Sequence, residues 1–293
     1  MAMLDYTLPY VLSGVTFNNR LLNSAGCWCT TEDELLDLAN SESGGVVSKS
    51  CLREAYGGNP KPRYYADEHN SINSTGLANL GHLFYNEVGE RIREKKPYII
   101  SMAVNRDIFQ MIRNIEKEQH CDFIELNISC PNVVGESILG YEVDACVDFF
   151  DTIFHPSVTG NPDKLRFGLK LPPYFSRSDV SDMTSVICRY PFKYISCING
   201  MPNGLVLDEN HEPVIRPNGG LGGMGGVVAK PFGLANVKMF HELMPDMPII
   251  GCGGIATNKD IQDYLSVGAS MVQIGTQVMK EGPSCFSRLL EEY

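Results

Sequence analysis

Short apolar runs recur along the chain, and most stop at a small or polar residue. They read Leu21-Leu22-Asn23-Ser24, Gly45-Val46-Val47-Ser48, Tyr98-Ile99-Ile100-Ser101, Phe123 to Asn127, Phe167-Gly168-Leu169-Lys170, Tyr194-Ile195-Ser196-Cys197, Pro248-Ile249-Ile250-Gly251 and Met271-Val272-Gln273-Ile274. Helix-like spacing fills most of the intervals, over 32–40, 83–95, 107–118, 143–155, 179–189, 231–244, 258–266 and 279–291. Thr31 ahead of Glu32-Asp33 and Ser178 ahead of Asp179 read as N-caps.

Near-continuous apolar strands alternating with helices predict a parallel sheet buried on both faces. Eight such units in 293 residues favour a closed (β/α)8 TIM barrel, in one domain spanning 1–293, over an open doubly wound sheet. Two connections, 51–96 and 200–230, are too long for simple loops, and long loops in compact domains are usually functional. Both follow strands, which puts them on the C-terminal face where barrel enzymes keep their chemistry. Within the second, Leu205-Val206-Leu207 and Pro213-Val214-Ile215 alternate as a β-hairpin would.

Composition narrows the chemistry. With 43% apolar residues the chain can bury a large core. Lys+Arg 24 against Asp+Glu 35 gives 24 − 35 = −11, a poor match to nucleic acid or an anionic membrane surface. An anionic substrate would therefore need local positive charge, which directs attention to Lys49 and Lys170 at strand ends. The ten cysteines are scattered without a CxxC pair, and HExxH is absent, so no metal site is expected. No stretch has the length of a membrane span and the N-terminus lacks a leader pattern, which fits a reducing cytoplasm.

The richest segment is Glu125-Leu126-Asn127-Ile128-Ser129-Cys130-Pro131-Asn132, where an apolar strand breaks into amides, a hydroxyl and a thiol. Cys130 reads either as a reactive group flanked by Asn127 and Asn132 or as a buried thiol packing as a small hydrophobe. Gly251-Cys252-Gly253-Gly254 and Gly275-Thr276 end the last two strands, where barrels commonly hold a phosphate; ordinary tight turns are the other reading. Gly220-x-Gly222-x-x-Gly225 lacks a preceding strand and is read as a flexible loop close to a ligand, not a dinucleotide fingerprint. Lys49 and Lys170 suit anionic ligand atoms or a reduced cofactor, or else snorkel to the rim. Asn73, Asn127, Asn132 and Asn199 suit a planar amide-bearing ligand, or else form turns. His82, His120, His211 and His241 are read as surface residues, and Cys27-Trp28-Cys29 as packing rather than redox chemistry.

The chain resembles the class 1A dihydroorotate dehydrogenases, the soluble flavin barrels of pyrimidine synthesis. The resemblance is carried by Asn23-Ser24-Ala25-Gly26, Val47-Ser48-Lys49-Ser50, Gly58 to Tyr64, Ser71 to Leu77, Glu125 to Asn132, Lys170 to Tyr174, Asn203-Gly204-Leu205, Gly251 to Gly254 and Gly268 to Gln273. It implies a cytoplasmic homodimer with bound FMN. Gly253, Gly254, Gly275, Thr276 and backbone near Gly225 would hold the phosphate. Ala25, Gly26, Lys49, Ser50, Asn127, Lys170, Ile198 and Cys252 would line the flavin. Dihydroorotate or orotate would be held by Lys49, Asn73, Asn127, Asn132, Asn199 and the backbone of Thr75, Gly76 and Leu77. Cys130 would remove a ring proton as hydride passes to the flavin, with Lys170 offsetting the charge that builds there and Lys49 gripping the substrate. Fumarate would then reoxidise the flavin at the same site and leave as succinate. The membrane-bound class, with a serine base and an N-terminal membrane element, fits less well.

The segment from Pro131 to Tyr141 is expected to act as a lid, with Gly135 and Gly140 as hinges. Three departures from the family pattern stand out: Gly200 in place of a serine after Asn199, Thr75 and Ala78 where Met and Pro are usual, and an end at Tyr293 short of a C-terminal helical extension. These leave open a related flavin barrel with another substrate, another acceptor or an iron–sulfur partner, or a flavin-binding protein without turnover. A non-flavin aldolase or isomerase barrel with Lys170 as a Schiff-base lysine is a further alternative.

Overall fold

A computed structural model describes residues 4–129, 138–156, 158–159 and 164–293. Eight parallel strands build the central sheet: β1 (Leu21–Asn23), β2 (Val46–Val47), β3 (Tyr98–Ala103), β4 (Phe123–Asn127), β5 (Phe167–Lys170), β6 (Tyr194–Cys197), β7 (Ile249–Cys252) and β8 (Met271–Ile274). Their spatial order runs β1, β8, β7, β6, β5, β4, β3, β2. A parallel bridge from Leu22 to Gly45 joins the two ends and closes the barrel. Every strand is buried along its length, as a sheet covered on both faces requires.

The surrounding helices are α1 (Glu32–Asn40), α2 (His82–Arg93), α3 (Ile108–Lys117), α4 (Val143–Ile153), α5 (Arg177–Ile187), α6 (Lys230–Leu243), α7 (Asn258–Ser266), α8 (Thr276–Glu281) and α9 (Ser284–Glu291). Thr31 caps α1 in a reciprocal box with Glu34, as its position predicts. The cap of α5 is Ser176, not Ser178: extended Ser176 accepts from Asp179 N, while Ser178 already lies in the helix and bonds Ser176. The single helix expected over 279–291 is two, because Gly282 at φ 67° and Pro283 break it. Among the described residues no helix is long and apolar enough to cross a membrane.

At the N-terminal end an antiparallel pair, Tyr10–Leu12 and Val15–Phe17, plugs the barrel. Leu12 and Phe17 pack there against Leu22, Val47, Ile99, Phe123, Tyr194, Ile250 and Met271. At the opposite end the two long connections pair with each other. Tyr64–Ala66 and Asn70–Asn73 come from the first, Met201–Gly204 and Gly222–Gly226 from the second, and they form one antiparallel sheet over the mouth. The glycine run expected to be a flexible loop is thus a strand of this sheet. It consists of glycine because the backbones are crowded: a Cβ on Gly222 would sit 2.6 Å from Asn73 O, and one on Gly226 2.3 Å from His69 O. The expected hairpin is reduced to one bridge, Leu207 to Pro213, flanked by bonds from Val214 N to Val206 O and Asp208 N to Glu212 O.

One strand glycine matters inside the barrel. The Tyr194 ring lies across Gly168, where a Cβ would stand 2.1 Å from its Cζ. Gly168→Ala should therefore cost about 1–3 kcal/mol or more by overpacking a rigid ring. Urea denaturation measures this, and a variant as stable as the parent would contradict the packing described.

Candidate active site

The C-terminal ends of the strands and the antiparallel sheet above them enclose a cavity. Ala25 and Gly26 reach it from the end of β1, Lys49 and Ser50 from β2, Asn127 from β4, Lys170 from β5 and Asn199 from β6. Asn73, Thr75 and Leu77 enter from the first long connection. The structure thus brings together both expected lysines and three of the four expected amides. Sequence reasoning passed over Arg63, Tyr64, Thr30, Gly223 and Met279, which also line the cavity, as does Cys27, read from sequence as packing. No described lining residue is acidic, so Lys49, Arg63 and Lys170 make a local cluster of three cations in a chain of net charge −11. Such a cavity is built for an anion.

The amides are tied into a chain. Ser101 and Ser50 hydroxyls lie 2.8 Å apart, Asn127 Nδ2 donates to Ser50 Oγ at 3.1 Å, and Asn199 Nδ2 donates to Asn127 Oδ1 at 3.3 Å. Asn199 Oδ1 accepts from Gly200 N at 2.9 Å. Asn73 Nδ2 reaches across to Gly223 O at 3.4 Å. These bonds hold the carboxamides as fixed faces rather than free rotors.

Lys170 is 3% exposed, and its Nζ donates to Gln273 Oε1 at 2.7 Å and Ser196 Oγ at 3.1 Å. The other lysine differs: among the described residues Lys49 Nζ has no hydrogen-bond or ion-pair partner, and it lies 3.0 Å from where a Cβ on Gly26 would be. Gly26, at φ 97°, thus leaves room for this ammonium. Tyr64 contributes a phenol whose oxygen is buried without a hydrogen-bond partner among the described residues. Burial pushes its pKa up to about 12, so it stays protonated. Burial likewise pushes the Cys27 thiol up to about 12, despite the opposing lysines, which rules it out as a thiolate near neutral pH.

The expected phosphate-holding residues form a second group that is not among the residues lining this cavity. Gly253 and Gly254, at φ 128° and 66°, turn the chain after β7. Gly275 precedes α8, and among the described residues no side chain caps its first turn. Thr276 Oγ1 lies 2.8 Å from Ser71 Oγ, and a Cβ on Gly225 would come within 2.9 Å and 3.0 Å of these two hydroxyls. Lys230, beside Gly254, has its charge taken up by Asp260 and Asp263 at 2.5 and 2.7 Å. Cys252 and Ile198 are buried at strand ends, while Gly76 packs against Asn59.

Cys130, Asn132 and residues 131–137 of the expected lid lie outside the described residues. At the lid's far end Gly140 is fixed rather than hinged: its N–H donates to Ile128 O at 3.0 Å and its carbonyl accepts from Tyr174 OH at 2.6 Å. His82 is a correction. It is 1% exposed, with Nδ1 2.8 Å from Arg53 O and Nε2 2.9 Å from Asn114 Nδ2, because α2 and α3 close over it.

The sequence matches the family model described as dihydroorotate dehydrogenase over residues 7–293. This chain belongs to that family. Among curated dihydroorotate dehydrogenases, "putative dihydroorotate dehydrogenase A (fumarate)" of Streptococcus agalactiae is 38% identical over 292 residues, covering 98% of this chain and 92% of the relative. "Dihydroorotate dehydrogenase (fumarate)" of Trypanosoma cruzi is 38% identical over 285 residues, covering 94% and 88%. These fumarate-named relatives put the chain with the class 1A dihydroorotate dehydrogenases. A dihydroorotate dehydrogenase of Eimeria tenella, solved with ferulenol, superposes with a TM-score of 0.75 at 20% identity over 98% of this chain and 84% of that one, which shows the shared fold.

For a dihydroorotate dehydrogenase the residues missed from sequence left a signal. Arg63-Tyr64 sit in one of the family-like segments, and Glu125 and Gln273 are isolated polar residues inside apolar strand runs. A polar residue where periodicity asks for an apolar one is often part of a site.

Proposed function

We propose that this chain oxidises dihydroorotate to orotate, with FMN as its resident cofactor and fumarate as the acceptor. The observation that carries the reading is the convergence of Lys49, Lys170, Asn73, Asn127 and Asn199 on one cavity at the barrel mouth whose described lining holds no acidic residue. Free thiols at all the described cysteines favour a reducing compartment such as the cytoplasm.

The residues present fit FMN. Lys170 and the amide chain offer donors to a planar heterocycle, and the buried Tyr64 hydroxyl, without a partner among the described residues, has capacity for one more bond. The turns at Gly253-Gly254 and Gly275-Thr276, with Gly225 beside Thr276, would hold the phosphate on backbone N–H groups in space that a Cβ would fill. Bound FMN would take the two electrons that leave the substrate.

The other duties belong to the chain itself. Lys49, without an acceptor among the described residues, would pair with the substrate carboxylate. Asn73, Asn127 and Asn199, with Asn132, would grip the ring's amide edges and fix its register. Cys130 would take the ring proton, a task for which a thiol needs only a modest pKa adjustment. Lys170, held in place, would supply positive charge where negative charge accumulates.

The purified protein should be yellow, releasing non-covalent FMN on heating. Under anaerobic conditions dihydroorotate should bleach it and fumarate should restore the colour. Cys130→Ala should stay yellow but bleach far more slowly. A colourless chain that FMN cannot reconstitute would overturn the cofactor reading. Bleaching without recovery on fumarate would point to a different acceptor.

The loop departure at Gly200 gives a separate prediction. A Cβ there would stand 3.2 Å from Met224 O, so the mouth sheet must yield by a few tenths of an ångström. Gly200→Ser should still tighten orotate, at the low end of the about 0.5–1.5 kcal/mol of one added neutral hydrogen bond, roughly twofold. Weaker binding in a fluorescence titration, with flavin intact, would mean that the strain outweighs the bond.

A further inference from the structure

We propose that Gln273 and Glu125 are positioning residues that together set the reduction potential of the bound flavin, Gln273 by anchoring the Lys170 ammonium and Glu125 by offsetting its charge. The inference rests on the FMN reading above and extends it to two residues below the cavity.

Gln273 lies on β8 in an otherwise apolar run and is fully buried. Both ends of its amide are engaged. Oε1 accepts from Lys170 Nζ at 2.7 Å and from Ser196 Oγ at 3.0 Å, while Nε2 donates to Glu125 Oε2 at 2.8 Å. This orientation is forced. Turned over, the amide would face its N–H groups to an ammonium and its oxygen to a carboxylate, leaving bad contacts at both ends. Glu125 therefore decides which end of Gln273 meets Lys170.

Glu125 is itself fully buried on β4, and Tyr194 OH donates to its Oε2 at 3.2 Å across Gly168. Its Oε1 has no hydrogen-bond partner among the described residues. A buried carboxylate needs compensating positive charge, and Lys170 supplies it through one intervening amide. A packed apolar layer would fill the same space without the desolvation cost, so stability does not account for the network. What the network does provide is a fixed ammonium: among the described residues two of the three Lys170 N–H groups are committed, to Gln273 and Ser196, which leaves one for a ligand in the cavity.

The test is the two-electron potential of FMN in the holoprotein, read by equilibration with reference dyes. Gln273→Met, similar in size but without donor or acceptor, should lower the reduction equilibrium constant by about tenfold, roughly 30 mV for a two-electron couple. Glu125→Gln, which removes the anion and keeps the shape, should move the potential in the opposite direction. In a Lys170→Met background Gln273→Met should add no further shift, since it acts through the lysine. Unchanged potentials, shifts of one sign, or full additivity with Lys170→Met would each overturn the proposal. If Gln273→Met does not fold, Glu125→Gln decides alone: a raised potential supports the assignment, and an unchanged or lowered one overturns it. Failure of the parent to bind FMN would sink the cofactor reading instead, so the two failures are distinguishable.

Discussion

The structure depends on keeping an ammonium in the neck of a closed barrel. Lys170 is almost wholly buried, and an unpaired charge there would cost several kcal/mol. The barrel meets this cost with neighbouring strands in fixed register: Lys170 stands opposite Asn127 on one side and Ser196 on the other. Gln273 completes the set from β8. A one-residue slip of β5 would turn the lysine out of the barrel, so the register that closes the sheet also places the charge.

Around that point the acidic chain concentrates positive charge. Arg63 and Lys49 stand at the same cavity as Lys170, and no acidic residue is among its described lining. The roof that brings Arg63 and Asn73 to the barrel mouth is made by two distant connections. Asn73 pairs with Gly223, and the lack of side chains on the glycine strand allows the backbones to approach.

Much of this was legible in the sequence. The eight strand runs stand where expected, and Lys49, Lys170, Asn127 and Asn199 could be placed from the rule that a parallel strand's C-terminal end faces the chemistry. The roof was not legible, because a glycine run carries no alternation and nothing local pairs 70–73 with 222–226. The shift from Ser178 to Ser176 and the break at Gly282 are decided by backbone conformation, which residue type alone underdetermines. Burial of His82 was hidden for a related reason: its partners Arg53 O and Asn114 are far away in sequence. Glu125 and Gln273 were visible as polar interruptions, but their mutual contact spans 148 residues.

The central claim is that Lys170 acts on charge that develops during turnover rather than on resting cofactor binding. The affinity of flavin-stripped protein for oxidised and for reduced FMN, compared between the parent and Lys170→Met, tests it directly. Loss of the ammonium should weaken reduced FMN by at least about tenfold, roughly 1.4 kcal/mol, and oxidised FMN by much less. Equal losses for the two forms would contradict the account and make Lys170 an ordinary binding residue.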